Sequence, residues 1–248
     1  EKKANELELD FPMGFYGLSF KTHFGNSGIR FKYFGVHSFA ELLNKIYPHH
    51  TFYEWLFKST PNHFWEDESN LIDYMKWLYE QLKMESLDEW YDINNDIINH
   101  YNGAGLLVHS GKNLSELVSL AYPSHHWDVT KFGQKKFTSQ KRLFKVLTQV
   151  YPNNEIRYNK RQKDIINPKT NRSLELDCYI PSLNLAFEYQ GSQHNKPNRF
   201  FHSEKARDSF ADLMYRDKIK KKRCKELGIK LIEVFVGEWD YTRNSLMR

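Results

Sequence analysis

The stretch LELDCYIPSLNLAFEYQGSQH, residues 174–194, limits the fold more than any other part of the sequence. Two apolar runs flank the tetrapeptide Pro181-Ser182-Leu183-Asn184, and turn residues between apolar runs predict an antiparallel hairpin. Side chains alternate faces along a strand. Leu174, Leu176 and Cys178 then share one face, and Glu175, Asp177 and Tyr179 the other. On the second run Leu185, Phe187 and Tyr189 oppose Ala186, Glu188 and Gln190. A tight turn sets Asp177 roughly opposite Glu188. Two carboxylates facing each other across a strand pair repel. A divalent cation removes that penalty, because Mg2+ is held by one or two carboxylates together with water and phosphate oxygens. Acids on the solvent face of a hairpin are also ordinary, and the alternation alone leaves both readings open.

The surroundings of the hairpin extend the pattern. A helix over 139–150 is expected before it, then a strand in EIRYNKR and a turn-rich NPKTNRS. After it come a long polar helix over about 204–227, stopped by Gly228, and a buried strand in IKLIEVFV, 229–236. The order α-β-β-β-α-β predicts a mixed sheet with at least one helix packed on it.

The N-terminal half repeats itself. HSFAELLNKIYPHHTF, 37–52, aligns without gaps with KNLSELVSLAYPSHHW, 112–127. Glu41/Glu116, Leu42/Leu117, Tyr47/Tyr122, Pro48/Pro123 and His50/His125 match, and Phe52/Trp127 are both aromatic. Ser38 and Asn113 are good N-caps before an apolar helical spacing, and each helix is expected to stop at its Tyr-Pro pair. SQKRLFKVLTQVYPNNEI, 139–156, is a diverged third echo. Leu71, Tyr74, Met75, Trp77, Leu78 and Leu82 predict a helix between the clear copies, and SLDEWYDI a further one with a Ser86–Glu89 capping box. The fold class expected is α+β: a mainly helical repeat region, 1–135, with copies near 26–57 and 101–132, followed by an αβββαβ domain, 136–248.

Composition sets outer limits. Two cysteines, Cys178 and Cys224, argue against a disulfide framework and any Cys-based zinc site, and for an intracellular compartment, whether nucleus, cytoplasm or organelle. No apolar run reaches the roughly 18 residues of a membrane-spanning helix, so no membrane partner is expected. The chain opens on Glu1, from which a preceding segment is expected. A net charge of +5 favours a polyanionic partner. The adjacent histidines His49/His50 and His125/His126 are read as packing residues, with Phe52, Trp55, Trp127 and Phe132 as module cores.

LELDCYIPSLNLAFEYQGSQH followed by YRDKIKKKRCKELGIKLIEV resembles the PD-(D/E)XK nuclease superfamily, the restriction-endonuclease-like fold. Within it the pattern looks closest to the very-short-patch-repair-like and homing-endonuclease-like branches. The resemblance covers roughly 137–241, and the N-terminal modules are similar to those of uncharacterised eukaryotic or viral proteins. It implies a Mg2+-dependent endonuclease, with Mn2+ able to substitute, that hydrolyses phosphodiester bonds of nucleic acid, DNA favoured over RNA. Asp177 and Glu188 are then the metal-binding acids, with the Tyr189 carbonyl as a further ligand. Gln190 stands where most members have lysine; glutamine can orient the attacking water but supplies no charge. Gln140 stands where an upstream helix acid is common. His194 is a candidate general base or phosphate contact, and Asp217 a supporting residue facing the sheet.

Six of the eight residues from Lys218 to Lys225 are basic. Beside a phosphodiester site, Arg216, Lys218, Lys221, Lys222 and Lys225 are expected to contact phosphates. Phe200, Phe201 and His202 are candidates for stacking on bases, with core packing the alternative. The missing lysine and helix acid keep a second reading open, a catalytically inactive nucleic-acid-binding protein or assembly subunit that retains the fold. The repeats would then dock nucleic acid or a protein partner.

Overall fold

Three helices stop in the same way, because each runs into a Tyr-Pro pair. Proline's ring crowds the residue before it out of the helical region. The computed structural model of the chain describes residues 10–18, 25, 31–132, 138–191, 204–235 and 237–247. Helix α1, Phe39–Ile46, ends where the Tyr47 N–H reaches Leu43 O at 2.8 Å. Helices between α1 and the sheet are α2, Glu68–Gln81, α3, Asn95–His100, α4, Ala104–His109, and α5, Leu114–Ala121. In α5 the Tyr122 N–H reaches Val118 O at 2.9 Å, and in α6, Thr138–Val150, Tyr151 reaches Leu147 O at 2.8 Å. A second bond then closes each stop, three residues on: His50 to Tyr47 O, His125 to Tyr122 O and Asn154 to Tyr151 O, at 3.0, 3.2 and 3.2 Å.

The helix starts follow their caps. The Ser38 hydroxyl accepts the Glu41 N–H at 3.0 Å, and Asn113 accepts that of Glu116 at 3.1 Å. Glu116 returns the bond to the Asn113 N–H at 2.7 Å, a closed capping box. Further on, the 3-10 turns Glu54–Leu56 and Val129–Lys131 keep the alignment of the two copies. His50 lies edge-on to Phe52, ring centres 4.6 Å apart, and His125 lies tilted on Trp127 at 4.2 Å. Phe52 and Trp55 are buried as expected, whereas Trp127 and Phe132 are only half-buried.

The chain divides into two compact units, 1–78 with 101–127, and 79–100 with 128–248. This differs from a single cut between 135 and 136. Residues 79–100 pack with the sheet because Glu89 and Asp92 find cations on α6, namely Arg142, and Lys141 with Lys145. The same attraction alters the predicted helix at Ser86. Glu89 turns to Arg142 and to the Glu85 N–H, not to Ser86, and Leu87–Asp92 winds as a 3-10 helix.

In the first unit Leu71, Tyr74, Met75 and Leu78 form the apolar stripe of α2, each at most 1% exposed. Trp55 sits among Trp65, Tyr74 and Trp77, ring centres 5.5–6.3 Å away. Gly105 in α4 lies directly on Trp65: a Cβ there would come within 2.4 Å of the indole nitrogen.

The second unit carries one four-stranded sheet among the described residues, in the order β1-β2-β3-β4. The strands are β1, Arg157–Asn167, β2, Arg172–Ile180, β3, Leu185–Gln190, and β4, Lys230–Phe235. The first three are antiparallel, and β3 and β4 are parallel. Parallel pairing needs a crossover, and helix α7, Glu204–Glu226, supplies it. Gly228, at φ 68°, takes the left-handed turn that ends α7 and feeds β4. The turn between β2 and β3 is the expected one: a 3-10 turn over Pro181–Leu183 closed by Asn184 at φ 47°. Helix α6 packs on β2 and β3, and its Phe144 also meets Tyr158 of β1. Helix α7 packs on β1 and β4, where Cys224 joins Ile165 in one buried cluster with Leu231 packed against it.

Candidate functional site

The β2–β3 ladder pairs Ile180 with Leu185, Tyr179 with Ala186 and Cys178 with Phe187. The next pair in that register is Asp177 with Glu188, and there the carboxylates take over the backbone donors. Asp177 Oδ2 accepts the Tyr189 N–H at 2.8 Å, and Glu188 Oε1 accepts the Asp177 N–H at 3.3 Å. Both acids are 6% exposed, which excludes the solvent-face reading. Both faces of the hairpin are covered at this point, so the pair is buried inside the sheet-bearing unit.

The row continues into β4, where Glu233 pairs with Glu188. Residues opposite each other in a ladder share a face. Asp177, Glu188 and Glu233 therefore line up on three adjacent strands. Helix α7 answers with cations. The Lys220 ammonium donates to Glu188 Oε1 and Oε2 at 2.9 and 2.7 Å, and Lys221 pairs with Glu233 at 2.8 Å. Gln190, 5% exposed, donates from Nε2 to Glu233 at 3.0 Å, while its Oε1 is buried without a hydrogen-bond partner among the described residues.

Burial, with Asp177 next to it, pushes the Glu188 carboxyl up to about 7 against the pull of Lys220. Burial likewise raises Asp177, opposed by the Lys220 charge, the Tyr189 N–H and the Gln140 side chain. One cation thus faces two buried carboxylates. That surplus of negative charge, carried on hard carboxylate oxygens, is of the kind a divalent cation offsets, and an ammonium already sits on one member. Among the described residues no group of three or more His, Cys, Asp or Glu gathers around one point, so further ligands would be water or substrate oxygens.

Asp177, Glu188, Tyr189 and Gln190 are thus brought together. Gln140 reaches the pair from α6. Asp217 is half-buried on α7 and has a partner of its own. The basic run does not act as one surface. Lys218, Lys222 and Lys225 are exposed, and so is Arg216, whose Nε turns back to Asp212 O at 3.3 Å. Lys221, expected on phosphate, is exposed as well and pairs with Glu233 at 2.8 Å. His194, Phe200, Phe201 and His202 lie outside the described residues. Sequence reasoning missed Lys220, one of six bases in a run, and Glu233. The signal for Glu233 was present: an acid inside an apolar strand, as at Asp177 and Glu188.

No family model matches the chain, and no solved structure matches it. It is similar to uncharacterized protein 094L of Frog virus 3 (isolate Goorha), 50% identical over 74 residues, 30% of this chain and 47% of that protein. It is similar also to uncharacterized protein 033L of Invertebrate iridescent virus 3, 44% identical over 68 residues, 27% of this chain and 34% of that protein. Uncharacterized protein 307L of Invertebrate iridescent virus 6 is 41% identical over 83 residues, 31% of this chain and 41% of that protein. The chain spans less than half the length of each of these curated relatives.

Proposed function

We propose that the sheet-bearing unit is a metal-dependent endonuclease of restriction-endonuclease-like fold, acting on phosphodiester bonds of nucleic acid, with DNA favoured. The observation that carries the reading is the buried pair Asp177 and Glu188 at the end of the β2–β3 ladder, short of one positive charge. The order αβββαβ and the parallel β3–β4 pair support the fold.

Asp177 and Glu188 would hold Mg2+ or Mn2+, with the Tyr189 carbonyl beside them. The bound ion would lower the pKa of a water molecule and offset charge building on the phosphate. Gln190 is fixed through Nε2 by Glu233, and its Oε1, without a partner among the described residues, can accept an O–H from the attacking water. Lys220 supplies from the helix the positive charge that Gln190 lacks in the strand. Lys218, Lys222 and Lys225 offer exposed charge to neighbouring phosphates, and the N-terminal modules are available to grip nucleic acid or a protein partner.

One observation favours a catalytically silent nucleic-acid-binding protein. Lys220 already spans both oxygens of Glu188, as a permanent structural pair would. Asp177→Asn separates the readings, since it keeps the size of the side chain and an acceptor for the Tyr189 N–H. The wild-type protein is expected to nick plasmid DNA in Mn2+ or Mg2+, and the variant to lose the activity by at least about 100-fold. Equal nicking by the two, or none by the wild type, would overturn the enzyme reading.

A further inference from the structure

We propose that Lys220 is a resident cation with two stations: on Glu188 when the acids are without a divalent ion, and on the substrate phosphate when they hold one. The inference rests on the proposed metal centre and assigns a task to a residue outside the hairpin. The first station is the observed one. The ammonium lies 2.9 and 2.7 Å from the two Glu188 oxygens, with Lys220 and Glu188 side chains 16% and 8% exposed. Glu188 Oε1 also accepts the Asp177 N–H at 3.3 Å, so both oxygens are engaged. A divalent ion approaching Glu188 must therefore displace the ammonium.

The helix fixes where the displaced group can go. Cys224, 1% exposed, and the half-buried Ile219 anchor α7 in the cluster below, so the Lys220 backbone stays in place. A lysine stem has four flexible methylenes and carries a compact point charge. The ammonium can swing while the helix holds still. The balance of charge gives the second station. Two carboxylates and one ammonium leave one negative charge in the site. A divalent ion neutralises both acids and leaves the ammonium without a countercharge. Two residues beyond Glu188 on β3 stands Gln190, whose buried Oε1 has no partner among the described residues and whose Nε2 is committed to Glu233. A phosphodiester at that point supplies the missing negative charge. Lys220 would thus weaken metal binding before substrate arrives and favour the two together, a positive coupling between ligands.

Calorimetric titration of Mn2+ into the full chain, without nucleic acid, tests the first station. Lys220→Met is expected to tighten Mn2+ binding on the order of tenfold or more, because the competing cation is gone. Lys220→Arg keeps the charge and should stay near wild type. Lys163→Met, at an exposed position of β1, removes the same charge and should change affinity less than about twofold. Lys220→Gln, which keeps hydrogen-bond donors, guards against misfolding of the methionine variant, and circular dichroism checks both. Equal Mn2+ affinity in wild type, Lys220→Met and Lys220→Gln would overturn the competition while leaving the metal centre standing. Mn2+ binding by none of the five proteins would overturn the metal centre itself. For the second station, Lys220→Met should nick plasmid more slowly than wild type at saturating Mn2+, despite its tighter metal. Undiminished cleavage would sink that half of the proposal.

Discussion

The buried ionic groups around Arg142 and Glu188, both in the sheet-bearing unit, are built on opposite terms. Around Arg142 each guanidinium nitrogen has a partner. Its Nε donates to Tyr241 O at 3.2 Å, and its two terminal nitrogens bond Glu89 and Leu82 O. One cation meets one carboxylate and two carbonyls, and the charges balance. Around Glu188 one ammonium serves two carboxylates, the Glu188 carboxyl is pushed up to about 7, and Gln190 Oε1 has no partner among the described residues. A balanced group ties segments together, here 79–100 to α6. A group left short of charge costs stability when it stands alone and gains it from a ligand that completes it. Such imbalance is where function is to be sought.

The sharpest way to break this contrast is to remove Arg142. Arg142→Met strands Glu89 and two carbonyls inside the protein. Loss of one partner of a buried pair costs about 3–5 kcal/mol. Urea unfolding should show a shift of that size, enough to unfold many domains outright. Arg142→Lys should lose nearly as much, because one ammonium cannot reproduce a fork that bonds three acceptors. A loss below about 1 kcal/mol would show that the Arg142 group is no more structural than the acid pair.

The same measurement on the acid pair should give the opposite sign. Asp177→Asn removes a buried charge that the single ammonium does not balance. In EDTA the variant should be more stable than wild type by roughly 1–2 kcal/mol, the scale gained when an uncompensated buried charge is removed. Added Mn2+ should raise the melting temperature of the wild type and not of the variant. Destabilisation by Asp177→Asn in EDTA would mean that the pair is structural after all.

What is legible in the sequence follows the same division. The strands and the β2–β3 turn are readable, because apolar alternation and a prolyl turn are local signals. So are the Tyr-Pro stops and the Ser38 and Asn113 caps. Strand alternation sets Asp177 opposite Glu188, but does not by itself say that the pair is buried. Pairings across long separations are not readable. Nothing near Glu89 announces Arg142, 53 residues away in the chain, so a reading of local pattern does not join residues 79–100 to the unit they pack in. Lys220 cannot be told from its basic neighbours, since the selection is made by which turn of α7 faces the row of acids. Glu233 escapes notice although its strand carries the same mark as the other two.

A third way to sharpen the contrast separates the lysines of α7. Lys218, Lys222 and Lys225 are exposed, and Lys221, exposed as well, pairs with Glu233. Changing the first three to Glu should weaken binding to unrelated DNA sequences about equally. The slope of log affinity against log salt should shallow by roughly one unit for each phosphate no longer neutralised. Lys221→Met should leave that slope within about half a unit of wild type. Its effect should fall instead on cleavage, through Glu233 and Gln190. A slope unchanged in the triple variant, read by fluorescence anisotropy, would remove α7 from the nucleic-acid surface.

The smallest expected effect lies between the two extremes, at Asp240. Its carboxylate is half-buried and accepts the Thr242 N–H at 2.9 Å, the Ser245 hydroxyl at 2.5 Å and the Thr242 hydroxyl. Burial pulls this carboxyl up, but the Ser245 and Thr242 donors and the nearby His100 outweigh it and hold it below its ordinary 3.8. Unlike Glu188, it is an acid whose environment favours the charged form. A carboxyl lowered on folding adds stability that is present above its unfolded pKa and is lost as pH falls through the folded one. Asp240→Asn keeps an acceptor of the same shape and removes the charge. It should cost a few tenths to about 1 kcal/mol near neutral pH, the scale of a partly exposed interaction. The cost should shrink as pH falls below 3.8 and through the lowered folded value, as the wild-type carboxyl itself becomes protonated. Urea unfolding of both proteins across that range measures the difference. A penalty that did not change with pH would mean that Asp240 acts through shape alone, as a turn residue, and not through its charge.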